Sequence, residues 1–258
     1  MHYKGYLIDL DGTMYRGEEK IDAASRFVKQ LEERKLPYLF VTNNSSRPPE
    51  DVAAKLNSMD IPAKPEHVFT TSMATAHYIE ENYGKADVYM IGEEGLEQAL
   101  ESQGHKITDV QPEVVVMGID RDLSYEKLTK ACLAVRNGAA FLSTNGDIAI
   151  PTERGLLPGN GSLTSVVHVS TGIAPLFIGK PESIIIKQAL EVLGTQLEDT
   201  LMVGDNYQTD IMAGINAGMD TLIVHTGVTT SDQLKMEKVK PTYAINTLDD
   251  WTFKTVKK

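Results

Sequence analysis

The sequence predicts an α/β fold built on a doubly wound parallel sheet, and three observations lead to it. Short apolar runs of strand length alternate with amphipathic stretches of helical spacing along most of the 258 residues. The first elements follow in βαβαβ order, which implies parallel pairing with right-handed crossovers. Clusters of acidic, amide, hydroxyl and lysine side chains directly follow apolar runs, at the edge where open parallel sheets bind ligands.

Tyr6–Asp9 reads as the first strand, and Asp22 as the N-cap of a helix from Ala23 to about Arg34. Tyr38–Thr42 is a buried strand, and Ser46 with Pro48 and Pro49 opens the next helix, since proline suits a first turn. His67–Thr71 is a short strand before a helix over Met73–Tyr83. Further strands are expected at Asp87–Ile91, Val114–Met117 and Ala139–Ser143, with helices at Leu96–Gln103, Tyr125–Arg136 and Leu163–Thr171. A parallel run then resumes with strand Pro175–Ile178, helix Ser183–Leu193, strand Thr200–Val203, helix Thr209–Ala217 stopped by Gly218, and strand Asp220–Val224. A short tail helix and strand precede Trp251. There is no internal repeat or flexible linker, so any second domain is an insertion joined by short crossings.

Hydrophobic residues make up 41% and charged residues 24%, an ordinary composition for a chain with a sizeable core. The formal charge of −11 argues against a general affinity for nucleic acid or an anionic membrane, while leaving room for a locally positive anion site. No run reaches the length of a membrane span and no signal-peptide core opens the chain, so the cytoplasm is the expected location. A single cysteine excludes an intrachain disulfide and a multi-thiolate metal site. Cys132 shares helical spacing with Leu128, Ala131 and Val135 and is read as core. The six histidines form no zinc-binding pattern.

Chemistry concentrates in four segments. Asp9-Leu10-Asp11-Gly12-Thr13 follows Tyr6-Leu7-Ile8. Two-residue periodicity turns both carboxylates to one face, and Gly12 lets the backbone turn away. Acids so close repel unless a cation is near or one stays protonated. The calcium-loop pattern fails, because its sixth position, where glycine belongs, is Met14. Thr42-Asn43-Asn44 ends the strand Leu39-Phe40-Val41, Lys180 follows Ile178-Gly179, and Gly204-Asp205 with Asp210 follows Leu201-Met202-Val203. Each piece alone also fits a turn, a helix entry or a surface lysine. Their order and shared position at strand ends argue for convergence. Asp9, Asp205 and Asp210 offer hard oxygen for magnesium, or support behind it. Thr42 and the amides after it suit a phosphate oxygen, and Lys180 adds positive charge. An anionic nucleophile attacking a phosphate dianion meets repulsion of about 1 kcal/mol per charge pair at ~4 Å in water, and about 4 at an effective dielectric near 20. Magnesium and lysine reverse that sign.

This combination resembles the haloacid-dehalogenase (HAD) superfamily of aspartyl phosphotransferases, and the resemblance covers essentially the whole chain. It implies a Rossmann-like core and a nucleophilic Asp9 that forms an aspartyl phosphate. Asp11 would protonate the leaving alkoxide and then activate water, so its pKa is expected to be raised. Magnesium would be held by the Asp9 carboxylate, the Asp11 main-chain carbonyl and Asp205, with Asp210 behind. Gly12, Thr42, Asn43, Asn44 and Lys180 would bind the phosphoryl group or substrate. The presence of Asp11 argues against dehalogenation, which needs no acid for an alkoxide.

Only 28 residues separate Thr13 from Thr42, whereas 135 separate Asn44 from Lys180, so an insertion falls in the second interval. With the segments DLDGTMYRG, VTNNSSR and PGNGSL, this placement is similar to the NagD-like (p-nitrophenyl phosphatase) branch, whose cap is of α/β (C2) type. Residues 1–84 and 178–258 are then the expected core, and 85–177 the cap. Within the cap, Ser143-Thr144-Asn145-Gly146-Asp147 and Pro158-Gly159-Asn160-Gly161-Ser162-Leu163 read as glycine-rich turns with Ser162 capping a helix, or as a surface that shapes substrate choice. The expected activity is magnesium-dependent hydrolysis of small phosphomonoesters, nucleoside monophosphates or sugar phosphates. A phosphomutase or phosphotransferase, and a non-catalytic ligand-binding protein, are the competing readings. The expected partner is a small phosphorylated metabolite, with no nucleic acid and no membrane, and the cap is the surface through which an oligomer could form.

Overall fold

A computed structural model describes residues 3–152 and 154–253. The chain opens with β1 (Gly5–Ile8), the hairpin β2 (Tyr15–Arg16) and β3 (Glu19–Lys20), α1 (Asp22–Glu33), β4 (Tyr38–Thr42), α2 (Pro49–Ser58) and β5 (Val68–Thr70). There follow α3 (Thr71–Tyr83), β6 (Asp87–Ile91), α4 (Glu94–Ser102), β7 (Lys106–Ile107), β8 (Val114–Met117), α5 (Tyr125–Arg136) and β9 (Ala140–Ser143). The hairpin β10 (Ala149–Thr152) and β11 (Gly155–Pro158), α6 (Asn160–Thr171) and β12 (Leu176–Phe177) come next. The chain continues through α7 (Ser183–Leu193), β13 (Thr200–Gly204), α8 (Met212–Ala217), β14 (Asp220–Val224), α9 (Ser231–Met236) and β15 (Tyr243–Ile245). Two compact units result. Met1–Thr42, Glu50–Phe69 and Lys180–Lys258 make the first, and Asn43–Pro49 with Thr70–Gly179 the second.

The first unit is organised by a sheet of order β15-β14-β13-β1-β4-β5. β1 pairs in parallel with both β13 and β4, so the strand order reverses beside β1. Tyr6 and Ile8 pack with Phe27, Val28 and Leu31 of α1 and with Val52 and Leu56 of α2. The alternate residues Leu7, Leu39 and Val41 are equally buried, and α7 packs against β1 and β4. With both faces covered, the strands read as continuous apolar runs, as a doubly wound sheet requires.

The second unit carries its own sheet, β12-β9-β8-β6-β7, whose pairs are all parallel. Period-2 alternation divides β8 cleanly. Val114 and Val116 share a core with Ala76 and Ile79 of α3 and Leu96 and Leu100 of α4. Val115 and Met117 pack with Ala131, Cys132 and Val135 of α5 and Val167 of α6. Cys132 is thus a core residue, as its spacing indicates.

Several expectations are corrected. Asp22 is the first helical residue of α1 and Ile21 the cap, made without a side-chain bond; Asp22 instead pairs with Lys20 at 3.1 Å. Ser162 does not cap α6, which Gly159 opens three residues earlier than expected; the Ser162 hydroxyl donates to Ile148 O at 2.7 Å. The strand at Leu176–Phe177 does not resume the first sheet but pairs with β9 of the second. The expected helix from Thr209 is replaced by a wide π-helical turn over Tyr207–Ile211 leading into α8, with Gly218 left-handed at φ 83° as its stop. Residues 70–84, expected with the core, group with the second unit because the buried face of α3 packs on β6, β8 and α4. The hairpins β2–β3 and β10–β11 and the short β7 were not anticipated.

Phe27 is 1% exposed, with its ring 5.8 Å from Tyr6 and 5.5 Å from Phe253. Phe27→Ala is expected to destabilise by about 3–5 kcal/mol. Urea unfolding followed by circular dichroism checks this, and a loss below about 1 kcal/mol would contradict the packing described.

Candidate active site

Adjacency of β4, β1 and β13 brings their carboxyl ends together, although the residues that follow them are far apart in sequence. Asp9 lies one residue beyond β1, its N–H donating to Val203 O at 2.9 Å. The register pairs Ile8 with Phe40, which sets the buried Thr42 at the same edge. Lys180 reaches the same point just before α7, and its own peptide bond to Pro181 is cis. Its ammonium donates to Asp9 Oδ1 at 2.6 Å, Asp210 Oδ1 at 2.7 Å and Val41 O at 2.9 Å. Three acceptors suit the three N–H donors of an ammonium group.

Asp205 follows β13 and is buried. Its Oδ1 accepts from the Thr13 hydroxyl at 3.2 Å, and that hydroxyl also lies 3.4 Å from Asp9 Oδ2. Its Oδ2 accepts from Val228 N–H at 2.6 Å. The π-helical turn carries Asp210 back beneath β13, where Oδ2 accepts from Asn206 N–H at 3.0 Å. Space is tight enough to exclude side chains. A Cβ on Gly204 would lie 2.3 Å from Asp210 Cβ, and one on Gly12, at φ 89°, would lie 2.3 Å from Asp205 Oδ2. One oxygen from each of Asp9, Asp205 and Asp210 lies within 4.8 Å of the others.

The cluster holds three buried carboxylates and one buried ammonium. Burial works against the charge on Lys180, but Asp210 and Asp9 outweigh it and hold its pKa above the ordinary lysine range. Burial, then the charge of Asp210, pushes Asp9 well above the usual carboxylate range, with Lys180 pulling it back. Burial and then Asp210 push Asp205 up to about 6, against the Val228 amide and the Thr13 hydroxyl. Such a set can coordinate a divalent cation: it offers hard oxygen donors and more negative charge than its lysine neutralises.

Asp11 has left the sheet and is exposed beside the β2–β3 hairpin. Although the residue as a whole is exposed, partial desolvation of its carboxyl beside the hairpin raises its pKa, against the Gly17 amide and the charge of Lys55. Lys55 from α2 donates to Gly17 O at 2.8 Å and sits 4.2 Å above the Tyr15 ring, tying the hairpin down.

Asn43 and Asn44 belong to the second unit. Asn43 Nδ2 donates to both Asp147 oxygens at 3.2 Å, and Asn43 O accepts from Asn145 Nδ2 at 2.8 Å. Asn44 Oδ1 accepts from Ser46 N–H at 2.8 Å, an Asx turn that leads toward α2. The structure thus gathers Asp9, Gly12, Thr42, Lys180, Asp205 and Asp210 within the first unit. Sequence reasoning gave no role to Thr13, which bridges two of the carboxylates, nor to the turn Thr226-Gly227-Val228. The signal for the turn was there: polar and glycine residues directly after the apolar run Leu222-Ile223-Val224, as in the other segments.

Residues 6–106 match the family model described as haloacid dehalogenase-like hydrolase, and residues 177–251 one described as HAD-hydrolase-like. The 5′-nucleotidase YutF of Bacillus subtilis is 65% identical over 249 residues, covering 96% of this chain and 97% of that protein. An acid sugar phosphatase of Staphylococcus saprophyticus is 53% identical over 250 residues, with 96% of each chain covered. The crystal structure of a single mutant of the thermostable NPPase from Geobacillus stearothermophilus superposes with a TM-score of 0.93 at 59% identity, covering 98% of this chain and all of that one.

Folding shifts the Asp205 carboxyl toward its protonated form, up to about 6. Its neutral form is favoured by folding, so its contribution to stability is present below the ordinary value of 3.8 and is lost as pH rises through about 6. A cation binding the ionised cluster restores that loss only above this pH. A divalent cation held by this cluster is therefore expected to raise Tm by several degrees at about pH 7.5 and far less at about pH 5. Thermal melts with and without magnesium check this, and equal shifts at both pH values would contradict the electrostatics described.

Proposed function

The chain belongs to the haloacid dehalogenase-like hydrolases, and from that membership we propose a magnesium-dependent phosphatase that hydrolyses small phosphomonoesters through an aspartyl phosphate. The observation that carries the reading is the Asp9–Lys180–Asp210 contact beside Asp205 at one strand edge. The names of the relatives support the substrate class: a 5′-nucleotidase and an acid sugar phosphatase act on nucleotide and sugar esters respectively. Nucleoside monophosphates and sugar phosphates are accordingly the two substrate classes assigned here.

Asp9 and Asp205, with the main-chain carbonyl of Asp11, would hold the magnesium ion, and Asp210 would act from behind. Bound there, the ion supplies the positive charge that offsets repulsion between a carboxylate and a phosphate dianion. A carboxylate oxygen of Asp9 attacks phosphorus and the ester P–O bond breaks. Lys180 holds the Asp9 carboxylate in position through Oδ1. Asp11 gives its proton to the departing alkoxide, which suits a carboxyl with a raised pKa at the exposed rim. In the second step Asp11 takes a proton from water, whose oxygen attacks the phosphorus of the aspartyl phosphate. The P–O bond to Asp9 breaks, freeing phosphate and the original carboxylate. Thr42 and the amides after it are assigned to the phosphoryl oxygens, with Gly12, Asn43 and Asn44 as further phosphate or substrate contacts. The second unit is assigned as the cap that shapes substrate choice.

Asp9→Asn is expected to lower turnover of an aryl phosphate by at least about a thousandfold while leaving the circular dichroism spectrum unchanged. Residual activity above about a tenth would reject the covalent route. Wild-type enzyme should release free phosphate in stoichiometric yield from both substrate classes; a rearranged ester without phosphate would favour a mutase. Chelation of divalent cations should abolish turnover, and added magnesium should restore it. Activity that survives thorough chelation would reject the role given to Asp205.

A further inference from the structure

The segment His225-Thr226-Gly227-Val228-Thr229, between β14 and α9, touches both loops that carry the candidate cation ligands. Val228 N–H donates to Asp205 Oδ2 at 2.6 Å, and Thr226 Oγ1 donates to Gly12 O at 2.7 Å. Thr229 N–H donates to Asp205 O at 3.1 Å, and Thr229 Oγ1 accepts from Tyr207 N–H at 2.8 Å. The strap is itself anchored: Arg16 Nε donates to Thr226 O at 2.5 Å, and His225 Nδ1 lies 2.9 Å from Thr229 O. At its centre a Cβ on Gly227 would lie 2.0 Å from Asp205 Oδ2 and 2.7 Å from Gly12 Cα.

We propose that Thr226-Gly227-Val228 is a positioning element that sets the orientation of the Asp205 carboxylate against the Asp9–Gly12 loop, and thereby the tightness with which magnesium is held. The inference rests on the magnesium reading above. Its physical content is a rotational lock. With Oδ2 held by the Val228 amide and Oδ1 by Thr13, the carboxylate cannot turn about its Cβ–Cγ bond without breaking a charge-assisted hydrogen bond. The Thr226 hydroxyl joins the same turn to the nucleophile loop, so two ligand-bearing loops share one support. Outer partners of metal ligands typically change metal affinity by about 10- to 100-fold when lost. Gly227 adds a steric condition: the atom a side chain would strike is the carboxylate itself, not the far end of a flexible chain.

The test is calorimetric titration of the whole protein with magnesium chloride, alongside activity across magnesium concentrations. Gly227→Ala should weaken magnesium binding by about tenfold or more. The half-saturating magnesium concentration should rise in step, with a much smaller loss of turnover at saturation. Thr226→Val should weaken binding several-fold, and Thr226→Ser, which keeps the hydroxyl, should restore it. Affinity unchanged within about twofold in Gly227→Ala, or an equal loss of activity at every magnesium concentration, would overturn the proposal. Should Gly227→Ala fail to fold, the valine and serine variants at Thr226 decide, and equal affinities in both would overturn it. A wild-type protein that takes up no magnesium would instead reject the cation reading, and this inference with it.

Discussion

Lys180 is 2% exposed and donates to Asp9 and Asp210 at 2.6 and 2.7 Å, and the active edge is arranged around that contact. An ammonium group removed from water is tolerated only when carboxylates stand close and its remaining donors are satisfied. Val41 O supplies the remaining acceptor. The arrangement still leaves negative charge in excess. Asp205 receives a hydroxyl and an amide and no cationic side chain among the described residues' hydrogen bonds, and its pKa rises to about 6 as a result of burial and the nearby Asp210. A site with this imbalance favours whatever brings further positive charge, and hard oxygen donors at this spacing suit a small divalent cation. Removing the lysine would do more than delete a contact, because it would leave two buried carboxylates facing each other unpaired.

Topology makes the contact affordable. Because β1 lies between β13 and β4, the residues after those three strands emerge side by side with no long loop to order. The glycines then decide how closely the loops approach. Gly204 lets the turn bearing Asp210 fold under β13, and Gly12 lets the loop after Asp9 pass against Asp205. Either close approach would be blocked by a single methyl group. The sheet supplies rough placement, and the absence of side chains at these points supplies the rest.

What could be read in the sequence follows the same physics. Tyr38–Thr42 and Val114–Met117 were legible to the residue, because strands buried on both faces are continuous apolar runs with polar boundaries. Asp9, Lys180, Asp205 and Asp210 were legible as a set because buried-site chemistry needs unlike charges at strand ends. Asp22 and Ser162 were misread as caps, because an Asp or Ser near a helix start serves the first turn as readily as the cap. The strand at Leu176–Phe177 carries no mark of which sheet it joins, since pairing is a tertiary fact. Thr13 and Gly227 were invisible for a further reason. Their roles depend on atoms of Asp205, about 190 residues away from Thr13 and 22 from Gly227, and nothing local announces such a distance.

The glycine-rich segments of the second unit show the opposite case, where an arresting sequence pattern has an ordinary explanation. Gly159 and Gly161 admit the backbone of Asp147 and Gly146 at distances a Cβ would fill, 2.2 and 2.3 Å. Asn160 Nδ2 lies within hydrogen-bond distance of Ser143 Oγ, Thr144 Oγ1, Asn145 O and Met117 O, and so holds that turn to the start of α6. Asn145 and Asp147 in turn hold Asn43. Asn43 is the first residue after Thr42, and Lys180 the first after Gly179, so two of the crossings between the units coincide with candidate site residues. An insertion within a strand would break its hydrogen-bond ladder, whereas one at the strand's carboxyl end leaves the ladder intact. That end is also where ligands bind in open parallel sheets. One geometric condition, a break at a strand's carboxyl end, therefore accounts both for where the chain crosses between units and for where the candidate residues Asn43 and Lys180 fall.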